Sequence, residues 1–177
     1  MKFALNKDVS IIVFGAGGTG GHIAPNLYRL LYASDRCVKI VIADGDIAEE
    51  KNLVRQNFIA ADLGRNKAQV LAERYAAAFG MEAHYVPEFI ESEAKLAELI
   101  KPAVKTSYDY RHHTEGLVIL IGAVDNNKSR QLCHKVFKNA CNLIYIDSGN
   151  GGQVVCAVSG AIIRRIISRS ENCILIY

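Results

Sequence analysis

Short apolar segments alternate along the chain with segments of helical periodicity, and this alternation predicts a parallel α/β fold. The first apolar segment, Ile11–Phe14, stops at a glycine and is typical of a buried strand. Ile23–Tyr32 follows with apolar residues at helical spacing, and Val38–Ala43 is a second apolar segment that ends at Asp44. The order strand, helix, strand predicts two parallel neighbours in one sheet.

The same alternation continues beyond a long connection. Gly45–Leu63 is longer than most loops of a compact domain and is rich in specific polar side chains, which favours a functional loop. The elements predicted after it are a helix over Lys67–Phe79 that ends at Gly80, a strand over Ala83–Val86, a helix over Glu91–Lys101, a strand over Leu117–Val124 and a helix over Asn127–Ala140.

The last predicted strands form a hairpin. Leu143–Asp147 and Gln153–Val158 are separated by the turn Gly149–Gly152, and strands this close must be antiparallel. The predicted fold is therefore α/β, a Rossmann-like three-layer sandwich whose central sheet is parallel in its first half and mixed in its second. We expect one nucleotide-binding domain over residues 1–160 and an unassigned tail over residues 161–177.

Composition limits the possible functions. The chain has 177 residues, of which 50% are hydrophobic and 22% charged, as in one globular domain. A net charge of +3 is too small to indicate nucleic-acid binding. The five cysteines are widely spaced without a C-x-x-C pair, which favours free thiols in a reducing cytoplasm. No signal peptide or membrane span is apparent, so we expect a cytoplasmic protein without a membrane partner.

A glycine-rich turn follows the first strand and begins the first helix. Gly15, Gly17 and Gly20 satisfy G-x-G-x-x-G, and Gly18 adds a fourth glycine. Glycines allow a tight turn and let a phosphate approach the amide groups of a helix N-terminus. Because a strand precedes the turn and a helix follows it, the pattern predicts nucleotide binding. The alternative is a turn that only packs the helix on the strand.

Asp44 ends the second strand, where a carboxylate can accept hydrogen bonds from both ribose hydroxyls. This position suits a dinucleotide enzyme and an ATP enzyme equally well.

Polar side chains after Asp44 distinguish between those two classes. A loop that presents Asn, Arg and Gln, followed by Lys67, serves an enzyme that cleaves ATP between its α and β phosphates better than a dehydrogenase. Arg55 can brace a triphosphate through paired N–H donors, and Lys67 can act as a point charge at the α-phosphate. Asp125 follows a central strand and would suit Mg²⁺ coordination over the ligand crevice.

Five motifs in this order resemble those of the ThiF/MoeB-like superfamily of adenylating enzymes, which includes the ubiquitin-activating enzymes. The resemblance covers about Val9–Val158 and is closest to stand-alone bacterial ThiF-type proteins. The motifs are the glycine turn Gly15–Gly20, Asp44 with Asp46, Asn52–Gln56, Gly64–Lys67, and Asp125 with Asn126.

The resemblance implies adenylation of a small ubiquitin-like or sulfur-carrier protein at its C-terminal glycine carboxylate, with ATP and Mg²⁺ as cofactors and release of pyrophosphate. It also implies a homodimer. By the same resemblance Arg55, Lys67 and Asp125 are the catalytic residues. The implied nucleotide-binding residues are the four glycines of the turn, Asp44 at the ribose, Asp46, Asn52, Arg55 and Lys67 at the phosphates, Gln56 in a supporting role, Asp125 as the magnesium ligand, and Asn126.

The sequence departs from the family pattern in three ways. Many relatives carry an N-terminal helix with an arginine, and because the first predicted strand begins almost at once, we expect that arginine to be missing here or supplied differently. The two C-x-x-C zinc pairs of many relatives are absent, and the chain ends soon after the hairpin. We therefore expect a truncated or divergent C-terminus. Two alternatives remain: a nucleotide-binding module without turnover, and an NAD(P)-dependent oxidoreductase, which only the glycine turn and Asp44 favour.

Overall fold

One sheet forms the centre of the protein in the computed structural model, which describes residues 9–33, 38–101, 117–140, 143–148 and 154–158. Five of its strands run parallel, and the last strand pairs antiparallel with the fifth. The order across the sheet is β3-β2-β1-β4-β5-β6. The strands are β1 (Val9–Phe14), β2 (Val38–Ala43), β3 (Tyr85–Val86), β4 (Leu117–Gly122), β5 (Leu143–Ser148) and β6 (Val154–Val158).

The α/β class and the parallel arrangement are confirmed. The parallel part extends further than expected, because it includes β5, and antiparallel pairing is confined to β5 and β6. The predicted turn Gly149–Gly152 and the tail 161–177 lie outside the described residues.

Helices cover both faces of the sheet. They are α1 (Gly18–Tyr32), α2 (Glu50–Leu53), α3 (Lys67–Phe79), α4 (Glu93–Leu99) and α5 (Asn127–Asn139), with one 3₁₀ turn at Ala60–Asp62. None of the helices in the described ranges is long and apolar enough to span a bilayer.

Several predicted elements differ from the structure in their bounds, and the differences at α4 and at the ends of β1, β4, α5 and β5 are one or two residues. Helix α1 begins at Gly18, inside the glycine turn, rather than at Ile23. The connection 45–63 contains α2 and the 3₁₀ turn, and β3 has two residues rather than four. In contrast, α3 has the predicted bounds and ends at Gly80, which adopts the left-handed conformation with φ of 64°.

Side chains of β1 alternate between two hydrophobic cores, which makes the fold a three-layer sandwich. Ile11 and Val13 pack with α1 and α3 on one face. Ile12 and Phe14 pack with α4 and α5 on the other. Burial on both faces explains why this strand reads as a continuous apolar run.

The strand order opens a crevice at one edge of the sheet. The chain moves from β1 through β2 to β3 on one side and then returns to β4 on the other side of β1. The connections after β1 and β4 therefore leave the carboxyl edge in opposite directions, and ligands of such sheets bind at this reversal.

Gly20 is where α1 approaches the glycine turn most closely. A Cβ atom at this position would lie 1.9 Å from the carbonyl oxygen of Gly15. Gly15 has φ of 106°, and a Cβ there would lie 2.6 Å from the carbonyl oxygen of Ala123. Both glycines are required by the packing of the protein itself.

We expect Gly20→Ala to lower the free energy of unfolding by about 1–3 kcal/mol, because the added methyl group forces α1 away from the turn. Urea denaturation measures this change. Gly18→Ala is the matched control, since a Cβ at position 18 meets no atom within 4 Å. Its effect should stay within about 0.5 kcal/mol. Equal stability of the two variants would contradict the conclusion that packing requires glycine at position 20.

Candidate functional site

The carboxyl ends of β1, β2 and β4 open onto a cleft of about 580 Å³. All of the predicted site residues except Gly20 line this one cleft. They are Gly15, Gly17, Gly18, Asp44, Asp46, Asn52, Arg55, Gln56, Lys67, Asp125 and Asn126.

The glycines of the turn have two different surroundings. Gly15 and Gly20 contact backbone atoms of the protein, whereas a Cβ at Gly17 or Gly18 would meet no atom within 4 Å. Gly17 is the N-cap of α1 and provides no side-chain cap, and the first turn of this helix carries no acidic residue. The first amide groups of α1 are therefore accessible to an anion in the cleft.

Asp44 connects the glycine turn to the end of β2. One carboxylate oxygen accepts a hydrogen bond from the amide of Ala16 at 2.5 Å, and the other accepts from the amide of Asp46 at 2.8 Å. Burial raises the pKa of Asp44, although these two hydrogen bonds act in the opposite direction. Each oxygen keeps a second lone pair, so the carboxylate can also accept from a ligand hydroxyl.

Lys67 contributes a nearly buried ammonium group to the cleft. Its side chain is 7% exposed, and its Nζ lies 3.1 Å from Oδ2 of Asp46. Asn66 fixes the start of α3 beside this pair, because its side-chain amide donates to the carbonyl oxygens of Asp44 at 2.8 Å and Asp46 at 3.1 Å. A lysine with so little exposure needs a counter-charge, and Asp46 supplies it.

Residues of the connection after β2 contribute a cation and an acceptor. Asn52 is buried, and its Oδ1 accepts from the amide of Glu49 at 2.9 Å, so this side chain orders the start of α2. Gln56 has a buried Oε1 that receives no hydrogen bond from the residues described. Arg55 is exposed within the cleft and forms no ion pair with any residue that the structure describes.

Arg74 of α3 anchors this connection. Its Nη1 donates to the carbonyl oxygen of Asn57 at 2.7 Å, and its Nη2 pairs with the carboxylate of Asp62. Asp62 is buried and also accepts from the amide of Ile59 at 2.8 Å. The side chain of Asn57 donates to the carbonyl oxygen of Gly21 at 2.7 Å. The segment that carries Arg55 is thus tied to both α3 and α1.

Asp125 and Asn126 occupy the connection between β4 and α5. Asn126 is the N-cap of α5, and its Oδ1 accepts from the amide of Ser129 at 2.8 Å. Asp125 is exposed at the cleft. The described residues contain no group of three or more His, Cys, Asp or Glu side chains that could hold a metal. A single carboxylate nevertheless fits Mg²⁺, which commonly binds one or two carboxylates and completes its shell with phosphate oxygens and water.

The cleft also contains residues that the sequence did not predict. Phe89 is 63% exposed and packs against Gly45, where a Cβ would lie 2.5 Å from the ring. Lys128 Nζ lies 2.9 Å from Glu91 Oε1, and this hydrogen bond and charge lower the pKa of Glu91. Phe89 and Glu91 lie in the connection after β3, so their place after a strand of the parallel sheet could have identified them.

A family model for the ThiF family matches residues 5–164. No curated protein matches the chain. Among solved structures, E. coli MccB with AMPCPP and MccA superposes with a TM-score of 0.60 at 19% identity, over 88% of this chain and 42% of MccB. MccB with ATP gives 0.55 at 23% identity, over 81% and 37%. The E. coli tRNA N6-threonylcarbamoyladenosine dehydratase TcdA gives 0.55 at 22% identity, over 79% and 51%. The chain spans about half the length of these neighbours or less.

We expect Asp62→Ala to lower the free energy of unfolding by about 2–4 kcal/mol, because it leaves the guanidinium of Arg74 without its carboxylate. Urea denaturation measures the loss, and limited proteolysis should show faster cleavage within residues 45–63. Glu73→Ala is the control on α3, the helix that carries Arg74, since the ion pair of Glu73 with Arg65 is well exposed. That variant should lose less than about 1 kcal/mol. A similar loss in both variants would contradict the anchoring role of the Arg74–Asp62 pair.

Proposed function

The chain belongs to the ThiF family, and from that premise we propose that it uses ATP to adenylate a carboxylate. The observation that carries the proposal is the composition of the cleft. An accessible helix N-terminus, the carboxylates of Asp44 and Asp125 and the cations of Arg55 and Lys67 surround one space at the carboxyl edge of the sheet.

The chemistry of these groups suits the parts of an adenine nucleotide. The phosphates would lie at the first amides of α1, next to Gly17 and Gly18. Asp44 would accept hydrogen bonds from the ribose hydroxyls. Arg55 and Lys67 would contact the phosphate oxygens, while Asn52, whose side chain is engaged within α2, would act by orienting the connection that carries Arg55. Gln56, whose buried Oε1 has no donor among the described residues, would have a supporting role beside them.

The proposed reaction joins the C-terminal carboxylate of a partner to the α-phosphorus of ATP. A carboxylate oxygen attacks this phosphorus, the bond to the oxygen that bridges to the β-phosphorus breaks, and its electron pair leaves with pyrophosphate. The product is an acyl adenylate. A carboxylate is already ionised at neutral pH, so the step requires no general base from the protein. Positioning and charge neutralisation by residues such as Arg55 and Lys67 then supply the catalysis.

Asp125 is the residue that would hold Mg²⁺, because it presents an exposed carboxylate where the phosphates are proposed to lie. The bound ion would neutralise charge on the phosphate oxygens.

The proposed partner is a small protein or peptide that offers a C-terminal carboxylate. A ubiquitin-like or sulfur-carrier protein with a terminal glycine is the partner that the sequence resemblance implies. MccB, a structural neighbour, was solved with ATP and also with AMPCPP and MccA. A neighbour that holds a nucleotide together with a second molecule supports a two-substrate reaction on this fold.

A homodimer is the second part of the proposal. The connection after β2, which also carries the cleft residue Arg55, exposes four large apolar side chains, Ile47, Val54, Ile59 and Leu63. Exposed apolar groups concentrated in one segment support an interface there.

We expect sedimentation at micromolar concentration to give the mass of two chains, and Val54→Asp to shift the protein toward monomers, because it places a charge in the interface. Leu30→Asp is the matched control, since Leu30 is an exposed leucine on α1 outside this segment. A monomeric wild-type protein, or equal dissociation of both variants, would count against the dimer.

We expect Mg·ATP to stabilise the protein against thermal unfolding. A ligand at about 100 times its dissociation constant adds roughly 2.7 kcal/mol, which is an easily measured shift. Asp125→Ala should remove most of this shift by deleting the magnesium ligand, whereas Asn127→Ala, an exposed neighbour that does not line the cleft, should keep it.

Other ligands separate the remaining functions. A shift with NAD and none with Mg·ATP would indicate an oxidoreductase. Binding of Mg·ATP without pyrophosphate exchange in the presence of a cognate carboxylate partner would indicate a nucleotide-binding module without turnover.

A further inference from the structure

Arg130 of α5 holds the backbone from which Asp125 projects. Its Nε and Nη2 atoms both donate to the carbonyl oxygen of Val124, at 3.2 Å and 3.1 Å. Val124 is the residue immediately before Asp125. The guanidinium group therefore acts on the connection between β4 and α5 from the helix that follows it.

Asp147 of β5 lies behind this guanidinium group. Its Oδ1 is 3.8 Å from Nε of Arg130, and the two side chains are 17% and 25% exposed. Asp147 is in register with Gly122, the last residue of β4, so it lies beside the residue after which the same connection begins. A charged carboxylate with this degree of burial needs a cation nearby, and Arg130 is that cation.

The surroundings of Asp147 restrict where its side chain can lie. A Cβ at Gly122 would lie 3.1 Å from the hydroxyl oxygen of Tyr145 and 3.4 Å from Oδ1 of Asp147, so glycine leaves the room that these side chains use. Burial, together with Cys133 and Asp147, raises the pKa of Tyr145 and keeps its hydroxyl neutral. The neutral phenol leaves Arg130 as the charge partner of the carboxylate.

Hydrogen bonds thus hold the backbone on both sides of Asp125 along the chain. Arg130 holds the carbonyl group before it, and Asn126 caps α5 directly after it. Neither Arg130 nor Asp147 lines the cleft. The contacts described above connect these two residues to the cleft through the connection that carries Asp125.

We propose that Arg130 is a positioning residue, anchored by Asp147, which holds Asp125 where it can bind magnesium beside the phosphates of ATP. The inference rests on the proposed function, because it assigns Arg130 a role in the binding of Mg·ATP.

Isothermal titration with ATP, once with Mg²⁺ and once with EDTA, tests this role in the purified chain. Arg130→Ala should weaken the binding of Mg·ATP by about tenfold, which corresponds to about 1.4 kcal/mol, and should leave the binding of metal-free ATP within about twofold. This selectivity follows because only the metal ligand is displaced. Arg29→Ala, on the exposed last turn of α1, is the control and should change neither affinity.

Asp147→Asn tests the anchor. This variant should also weaken the binding of Mg·ATP selectively. The double variant Arg130→Ala/Asp147→Asn should lose less binding free energy than the sum of the two single losses, because both substitutions act through one contact.

Arg130→Lys keeps the charge beside Asp147 but loses the forked pair of donors to Val124. This variant should show a smaller loss of affinity, again confined to Mg·ATP. If circular dichroism shows that Arg130→Ala does not fold, the affinity of Arg130→Lys tests the positioning role instead.

The outcomes separate the two proposals. A wild-type chain that binds no Mg·ATP overturns the proposed function and this inference with it. A wild-type chain that binds Mg·ATP, with Arg130 variants that bind it equally well, overturns only the inference. An equal loss of ATP binding with and without Mg²⁺ also overturns it, because such a loss reports a general disturbance of the cleft.

Discussion

The close contact between Gly20 and the carbonyl group of Gly15 determines how the first helix meets the sheet, and the candidate site depends on that contact. Because no side chain intervenes, α1 can begin at Gly18, directly after β1, with its first amides at the carboxyl edge of the sheet. Asp44 then accepts from the amide of Ala16 and joins the turn to β2. The accessible N-terminal end of the helix and the candidate ribose carboxylate are therefore placed by one arrangement of the backbone.

The cleft residues come from connections, and two guanidinium groups outside the cleft hold those connections in place. Arg74 joins the carbonyl group of Asn57 to the carboxylate of Asp62, and Arg130 lies between the carbonyl group of Val124 and the carboxylate of Asp147. In both cases the planar, multi-donor guanidinium donates to a backbone carbonyl group and carries the positive charge beside a poorly exposed acid. Site geometry of this kind needs a supporting shell as much as it needs the ligand-binding residues.

The sequence was sufficient for features that local patterns encode, and insufficient for those that depend on distant contacts. The bounds of β2 and α3 follow from apolar periodicity, and the motif residues meet in one cleft because parallel strands end at one edge. The start of α1 was missed because glycine has a low helix propensity and only packing makes the turn helical. Arg74 and Arg130 were missed because their partners lie on other elements, where no periodicity reports them.

The two kinds of glycine in the turn bear on how such a chain would diverge over time. Glycine at positions 15 and 20 is demanded by neighbouring backbone, whereas at positions 17 and 18 the protein leaves open space. A descendant that kept the fold and lost its ligand would retain the first pair and could accept side chains at the second pair. Packing alone therefore accounts for glycine at two of the four positions, and the proposed nucleotide site accounts for the other two.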